Sequence, residues 1–122
     1  MKNIYIETYG CQMNEYDTEL INTILKDANY ELIENLEKAE IIMLNTCSVR
    51  DNANRKIINR IATIRKLTGK QVFIGILGCM ASNYRKKLFK YDIDFVVGPD
   101  NYKNLPQIIE DMETEQHHLQ SL

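Results

Sequence analysis

Three cysteines, Cys11, Cys47 and Cys79, are the residues of this chain whose type and spacing most directly indicate chemistry. Each follows a run of apolar or β-branched residues typical of a strand and precedes a stretch with helical periodicity. An odd number of cysteines fits poorly with a framework of disulfides. The three thiols therefore act as small buried side chains, as nucleophiles or as metal ligands.

The elements that position these cysteines form an alternating pattern. Strands are predicted near residues 4–8, 41–44, 72–77 and 95–97, with a short edge strand between Tyr30 and Ile33. Helices are predicted after an Asn14 N-cap, from about Asp51 to Lys66, and from Asn104 to Met112. This alternation predicts an α/β domain of three layers, flavodoxin-like or Rossmann-like, whose mainly parallel sheet carries helices on both faces.

The predicted fold explains why the spacing of the three cysteines is informative. In a parallel sheet the strand-to-helix turns all lie at the carboxyl ends of the strands, where open α/β sheets bind ligands. Each cysteine falls in such a turn, and Gly10 and Gly78 precede two of them, which allows the chain to bend sharply there. We therefore expect the three thiols to converge. The simpler alternative is that all three are buried as small hydrophobic residues.

Three convergent thiolates leave the choice of metal open. Zinc usually takes four ligands, and the only histidines, His117 and His118, lie in a polar tail. A cubane iron–sulfur cluster normally takes four cysteines, so a site with three leaves one iron with an open coordination position. Thiolates rather than thiols would be needed, and helix N-termini after the cysteines would favour that charge state.

Composition limits the function in other ways. A chain of 122 residues makes one ordinary domain, and the net charge of -2 excludes a polycation built to bind nucleic acid over its whole surface. An RNA contact would need a local basic face. No apolar run approaches the length of a bilayer span, and the first ten residues do not resemble a signal peptide. We expect no membrane association and a cytoplasmic location, where thiols stay reduced.

Three motifs carry a resemblance to a known family. The segment from Glu7 to Asp17, the segment from Leu44 to Arg50 and Gly78-Cys79-Met80-Ala81 resemble the N-terminal domain of the radical S-adenosylmethionine methylthiotransferase family. Residues 1–112 are similar to this domain, including Gly98-Pro99, and residues 113–122 form a polar tail that we expect to be frayed. The residues after Cys11 are most similar to the branch acting on isopentenyl-adenosine of tRNA.

The resemblance implies a chemistry for the cysteines. It implies that Cys11, Cys47 and Cys79 hold one auxiliary 4Fe-4S cluster, whose open iron delivers sulfur or a methylthio group to C2 of isopentenyl-adenosine beside the anticodon. It also implies a second 4Fe-4S cluster and S-adenosylmethionine in a radical barrel, and tRNA as a partner through an RNA-binding domain. The barrel's Cys-x-x-x-Cys-x-x-Cys motif is absent from this sequence. We therefore expect this chain alone to bind a cluster without catalysing methylthiolation.

Two other kinds of enzyme or module compete with this interpretation. Cys79 and Arg85 satisfy the Cys-x5-Arg spacing of cysteine phosphatases, with Asp100 as a possible general acid, but their loop contains no glycine and leaves Cys11 and Cys47 unexplained. A flavin- or nucleotide-binding module on the same fold would need more hydroxyl or glycine residues in the first turn.

A noncatalytic RNA-binding domain is the remaining alternative, because basic residues crowd the second helix. Those residues are Arg50, Arg55, Lys56, Arg60, Arg65, Lys66 and Lys70. A charged, solvated outer face of a core-packed helix is the simpler explanation. If RNA does contact this helix, Arg60 and Arg65 are the predicted phosphate ligands. Asn14 and Asn45 are candidates for hydrogen bonds to sulfur, although capping and turn formation explain them equally well.

Overall fold

The computed structural model of the chain describes residues 2–9, 12–46, 51–69, 72–78, 91–115 and 119–121. Within these ranges the strands are β1 (Asn3–Thr8), β2 (Glu31–Leu32), β3 (Ile41–Thr46), β4 (Phe73–Gly78), β5 (Phe95–Val97) and β6 (Leu119–Ser121). They form one sheet in the order β2-β1-β3-β4-β5-β6, and every neighbouring pair is parallel. The predicted parallel α/β architecture is confirmed.

The α-helices in the same ranges are α1 (Gln12–Asp27), α2 (Asp51–Thr68) and α3 (Leu105–Glu115). Short 3-10 helices cover Leu36–Lys38 and Pro99–Asn104. Helix α2 packs Ile57, Ile61 and Ile64 against one face of the sheet. Helices α1 and α3 pack against the other face. The sheet is therefore the middle of three layers.

Alternation along the strands divides the two cores. On β3, Ile42 and Leu44 belong to the core beneath α2, whereas Ile41 and Met43 belong to the core beneath α1 and α3. All six residues of β3 are buried, as expected of a strand with helices on both sides. Because β3 is packed on both faces, the two cores fix the position of its carboxyl end.

Several details of the sequence prediction need correction. Asn14 lies inside α1, which begins at Gln12, so Asn14 is not the N-cap. Helical periodicity also predicts Leu20 on the buried face of α1 with Ile21 and Leu25, but Leu20 is 52% exposed whereas the other two are fully buried. The tail expected to be frayed continues α3 to Glu115 and then forms β6, which extends the sheet beside β5. Backbone pairing with β5 outweighs the low strand propensity of this polar segment.

None of the helices in the described part of the chain is both long and apolar enough to cross a bilayer.

Candidate functional site at the carboxyl edge of the sheet

The three cysteines predicted to bind a cluster, Cys11, Cys47 and Cys79, lie outside the described residues, but the strand ends that precede them are described. Strands β1, β3 and β4 are consecutive neighbours in the sheet. At their carboxyl ends Thr8 pairs with Asn45, and Thr46 pairs with Gly78. Thr46 and Gly78 are the residues directly before Cys47 and Cys79, and Thr8 is three residues before Cys11.

Gly78 ends β4 in a conformation that only glycine adopts easily. Its φ is +91°, and a Cβ at this position would lie 2.1 Å from the carbonyl oxygen of Thr46. That carbonyl belongs to the backbone of β3 and has little freedom to move away. The close approach of the two chains at the carboxyl edge therefore requires glycine at position 78.

A chain of polar contacts joins β3, α1 and β1 beneath this edge. The amide of Asn45 donates to the hydroxyl of Thr18 at 2.9 Å, and the hydroxyls of Thr18 and Thr8 lie 2.7 Å apart. The backbone N–H of Tyr9 donates to the carbonyl of Asn45 at 2.8 Å. Asn45 is fully buried. Its amide thus ties α1 to the ends of two strands, a role the sequence analysis considered only as turn formation or a bond to sulfur.

Thr46, the neighbour of Asn45, points to the other side of β3. It is also buried, and its hydroxyl donates to the carbonyl of Leu77 at 2.6 Å. Two buried polar side chains at the end of an otherwise apolar strand thus hold β3 to α1, through Asn45, and to β4, through Thr46. The carboxyl edge is therefore buried and hydrogen-bonded up to the residues that precede Cys47 and Cys79.

A second polar cluster lies on the α2 side of β1. The guanidinium of Arg60 donates through Nε to both carboxylate oxygens of Glu7 at 3.0 Å, and its Nη2 also contacts Glu7. The hydroxyl of Tyr5 donates to Glu7 at 3.1 Å, and the hydroxyl of Tyr9 donates to the other carboxylate oxygen. Glu7 therefore accepts hydrogen bonds from one arginine and two tyrosines, and its side chain is only 12% exposed.

The pKa values of this cluster follow from its geometry. Burial alone would raise the pKa of Glu7, but the hydrogen bonds from Arg60 and Tyr9 outweigh it and lower the pKa below the ordinary value. Burial first, and then the hydrogen bond to the Glu7 carboxylate, raise the pKa of Tyr9. The hydrogen bond to Glu7 raises the pKa of Arg60. At neutral pH the cluster thus holds one carboxylate, one guanidinium and two neutral phenols.

Lys56 extends this cluster toward the surface. Its ammonium lies 5.8 Å from the centroid of the Tyr9 ring, within the range of a cation–π contact. Lys56 is one turn before Arg60 on α2, so both cations face the end of β1 that leads to Cys11. The first half of α2 is therefore beside the carboxyl edge.

The last turn of α2 makes a different set of contacts at the opposite edge of the sheet. Arg65 donates to the carbonyls of Gly69 at 3.1 Å, Val72 at 2.6 Å and Asp92 at 2.8 Å, and to the carboxylate of Asp94 at 2.8 Å. Both Arg60 and Arg65, the two predicted phosphate ligands, are thus engaged within the protein. Sequence alone does not show which cations of α2 are already paired, so the prediction that Arg60 and Arg65 contact phosphate did not take these internal contacts into account.

Comparison with known proteins identifies the domain. The model of the family described as "Uncharacterized protein family UPF0004" matches residues 3–98. The chain belongs to the UPF0004 family. The recognition made from the cysteine motifs, as an N-terminal methylthiotransferase domain, is confirmed.

Curated relatives of this UPF0004 domain carry a consistent name. A protein of Chloroherpeton thalassium named tRNA-2-methylthio-N(6)-dimethylallyladenosine synthase is 47% identical over 88% of the chain and 25% of its own length. Proteins of the same name from Azobacteroides pseudotrichonymphae and Bacteroides fragilis are 45% and 44% identical over 93% and 92% of the chain. The chain spans about a quarter of the length of these relatives: 25% to 26%.

Other candidate residues in the UPF0004 domain gain no support. Among the described residues no group of three histidine, cysteine, aspartate or glutamate side chains is arranged to hold a metal ion. Cys79 and Arg85 of the phosphatase alternative, and His117 and His118, lie outside the described residues. Asp100, the supposed general acid, is exposed in the 3-10 helix after β5.

Sequence reasoning missed the Glu7 cluster of this domain. Tyr5, Glu7 and Tyr9 alternate along β1 and the residue after it, so their spacing alone puts them on one face of the chain. The matching signal on α2 is the pair Lys56 and Arg60, four residues apart. The spacing of residues thus indicates the face formed by Tyr5, Glu7 and Tyr9 and the cation pair on α2, but it does not show that the two are in contact.

Proposed function

We propose that this chain is the N-terminal cluster-binding domain of a tRNA methylthiotransferase and that Cys11, Cys47 and Cys79 hold one 4Fe-4S cluster. The observation that carries the proposal is the adjacency of β1, β3 and β4, with each of these strands followed by a cysteine within three residues. Neighbouring strands lie about 4.8 Å apart, so three chains leaving one edge side by side suit a single compact cofactor. Zinc suits three thiolates less well, because it usually takes four ligands.

The described residues fit such a cofactor in charge and in rigidity. Helix α1 begins at Gln12, directly after Cys11, so its N-terminal dipole favours a thiolate over a thiol. The buried hydrogen bonds of Asn45 and Thr46 hold the end of β3 to α1 and to β4 directly below the edge. A cluster held by three thiolates supplies an iron with an open coordination position, at which a sulfur species can bind.

The substrate side of the proposal comes from the relatives. Their printed name is tRNA-2-methylthio-N(6)-dimethylallyladenosine synthase, which makes a dimethylallyl-adenosine of tRNA the proposed substrate of the whole enzyme. S-adenosylmethionine and a second 4Fe-4S cluster would be bound by parts of that enzyme other than this domain. Because the chain matches only a quarter of those proteins, we propose that it holds a cluster but does not by itself modify RNA.

Anaerobic reconstitution with iron and sulfide tests the cysteine site. We expect about four irons per chain in the wild type and loss of the cluster in Cys11→Ala, Cys47→Ala and Cys79→Ala tested singly. Ser48→Ala, a change beside Cys47 that removes no thiol, is the matched control and should load normally. Circular dichroism of each apo variant separates loss of a ligand from loss of the fold.

Two results would contradict the proposal. Full iron loading in any one of the folded cysteine variants would remove that residue from the ligand set. A folded wild type that binds zinc but no iron–sulfur cluster would exclude the cofactor itself.

A further inference from the structure

The outer face of α2 has an unusual charge for this protein. From Asn52 to Gly69 the sequence contains no aspartate or glutamate, although the chain has a net charge of -2. Among the α2 cations, Arg60 is paired with Glu7, and Arg65 is paired with Asp94. The remaining cations of described placement are exposed: Arg55, Lys56 and Lys66.

The opposite face of the sheet has the opposite charge. Helix α1 exposes Glu19 and Asp27 beside one cation, Lys26, and α3 exposes Glu110 and Asp111. Although the whole chain has a net charge of only -2, the helix on one face of the sheet is basic and the helices on the other face are mainly acidic. A solvated helix surface alone does not require such a segregation, since mixed charges on one helix serve solubility equally well.

The basic residues of α2 are also arranged in a line. Arg55, Asn59 and Lys66 are exposed and spaced four and seven residues apart, so they lie along one stripe of the helix. The stripe is about 16 Å long at 1.5 Å per residue. Lys56 lies beside its first turn, over the Tyr9 ring. Arginine, lysine and asparagine are residue types that contact nucleic-acid phosphates.

We infer that this stripe, Arg55, Asn59 and Lys66, together with Lys56 beside its first turn, is a contact surface for the phosphate backbone of RNA. The inference rests on the proposed function and deepens it, because the proposed substrate is a polyanion that must reach the carboxyl edge. The Lys56–Tyr9 contact puts the start of the stripe at the strand end that leads to Cys11. Arg60 and Arg65 hold the helix in place, and the exposed cations face the RNA.

The salt dependence of RNA binding tests this surface. The probe is a fluorescein-labelled RNA hairpin with the shape of an anticodon arm, titrated with the wild-type chain at several salt concentrations. The test variant is the double substitution Arg55→Gln and Lys66→Gln, two exposed cations of the stripe that lie outside the Glu7 cluster. The matched control is Lys26→Gln with Lys38→Gln, which removes the same charge from exposed lysines outside α2.

We expect the slope of log affinity against log salt to fall by about 1.5 in the α2 variant, since each lost phosphate contact removes roughly 0.7 to 0.9. Affinity near 0.1 M salt should fall about tenfold or more. The control should keep the wild-type slope. An unchanged slope in the α2 variant, or an equal loss in both double variants, overturns the inference. Displacement of the hairpin by polyglutamate as readily as by unlabelled RNA also overturns it, because the partner would then be an acidic polypeptide.

Iron loading distinguishes failure of this inference from failure of the proposed function. The α2 variant should reconstitute the same amount of iron as the wild type, because its changed side chains are not thiols. If the wild type fails to load iron but its RNA binding still depends on Arg55 and Lys66, the cluster proposal fails and the RNA surface stands. If iron loads and the salt slope does not change, the RNA surface fails alone.

Discussion

The carboxyl edge and the amino edge of the sheet contain the same types of residue in different roles. Each edge has a glycine with positive φ, Gly78 at the carboxyl edge and Gly69 at the amino edge. Each also has an arginine of α2, Arg60 at the first and Arg65 at the second. At the amino edge these residues only close the fold, whereas at the carboxyl edge they are crowded against residues that lead to the cysteines.

The arginines differ in what they bind. Arg65 donates mainly to backbone carbonyls, of Gly69, Val72 and Asp92, whose hydrogen-bonding capacity does not change with pH. Arg60 donates to the side chain of Glu7, which two tyrosines also contact. At the amino edge Arg65 is therefore held mainly by backbone carbonyls, with the Asp94 carboxylate as an additional partner, whereas at the carboxyl edge Arg60 is held by the side-chain carboxylate of Glu7. The differences between the two edges, in their glycines and in the partners of their arginines, yield three predictions, given from the largest expected effect on stability to the smallest.

The glycines give the largest expected effect. Gly78→Ala should destabilise the protein by about 4 kcal/mol, because strain at positive φ and overpacking against Thr46 each cost about 1–3 kcal/mol. Gly69→Ala is the matched control: its φ is +79°, but nothing lies within 4 Å of the new Cβ. It should cost only about 1 kcal/mol. Urea unfolding of both variants measures the difference, and equal losses would mean that crowding at Gly78 is relieved by a small backbone shift.

The second prediction compares the two arginines. Arg65→Lys should cost about 2–3 kcal/mol, since one ammonium group cannot reach carbonyls in the three segments that the guanidinium joins. Arg60→Lys should cost about 1 kcal/mol, because lysine keeps the charge beside Glu7 and loses only the fork geometry. The same unfolding assay applies. A larger loss in Arg60→Lys would show that the Glu7 cluster, and not the Arg65 contacts, is the stronger attachment of α2.

Most of the strands that form these two edges could be predicted from the sequence. Residue patterns located β1, β3, β4 and β5 within one or two residues, because strands buried on both sides have a continuous apolar signature. Helix α2 was predicted from about Asp51 to Lys66 and runs from Asp51 to Thr68, directly before Gly69 with its positive φ. Strand β6 was missed because it is polar and its pairing with β5 is nonlocal.

Side-chain contacts were harder to predict than elements. The partner of Arg60 is 53 residues away in the sequence, and the partner of Arg65 is 29 residues away. Whether a surface cation is paired or exposed depends on such distant contacts, which no local pattern contains. The convergence of Cys11, Cys47 and Cys79 was predicted from the fold and stays a prediction, with the order of their strands in its favour.

The third prediction uses pH to test the Glu7 cluster. Glu7→Gln should cost about 1–2 kcal/mol at neutral pH, because it leaves Arg60 without its carboxylate. The pKa of Glu7 is lowered in the folded state, so its contribution is fully present above the ordinary carboxyl value of 4.5 and is lost as the pH falls through the folded value. The stability difference between wild type and variant should therefore shrink on acidification.

Urea unfolding at pH 7 and at about pH 3 measures this change. Glu40→Gln is the control, because Glu40 is half-exposed and lies 3.8 Å from Lys2 at the amino edge. It should change stability by less than about 0.5 kcal/mol at both pH values. If the loss caused by Glu7→Gln were the same at both pH values, the carboxylate would act through packing alone. The Arg60 contact would then be as independent of pH as the backbone contacts of Arg65, and the distinction between the two edges would rest on Gly78.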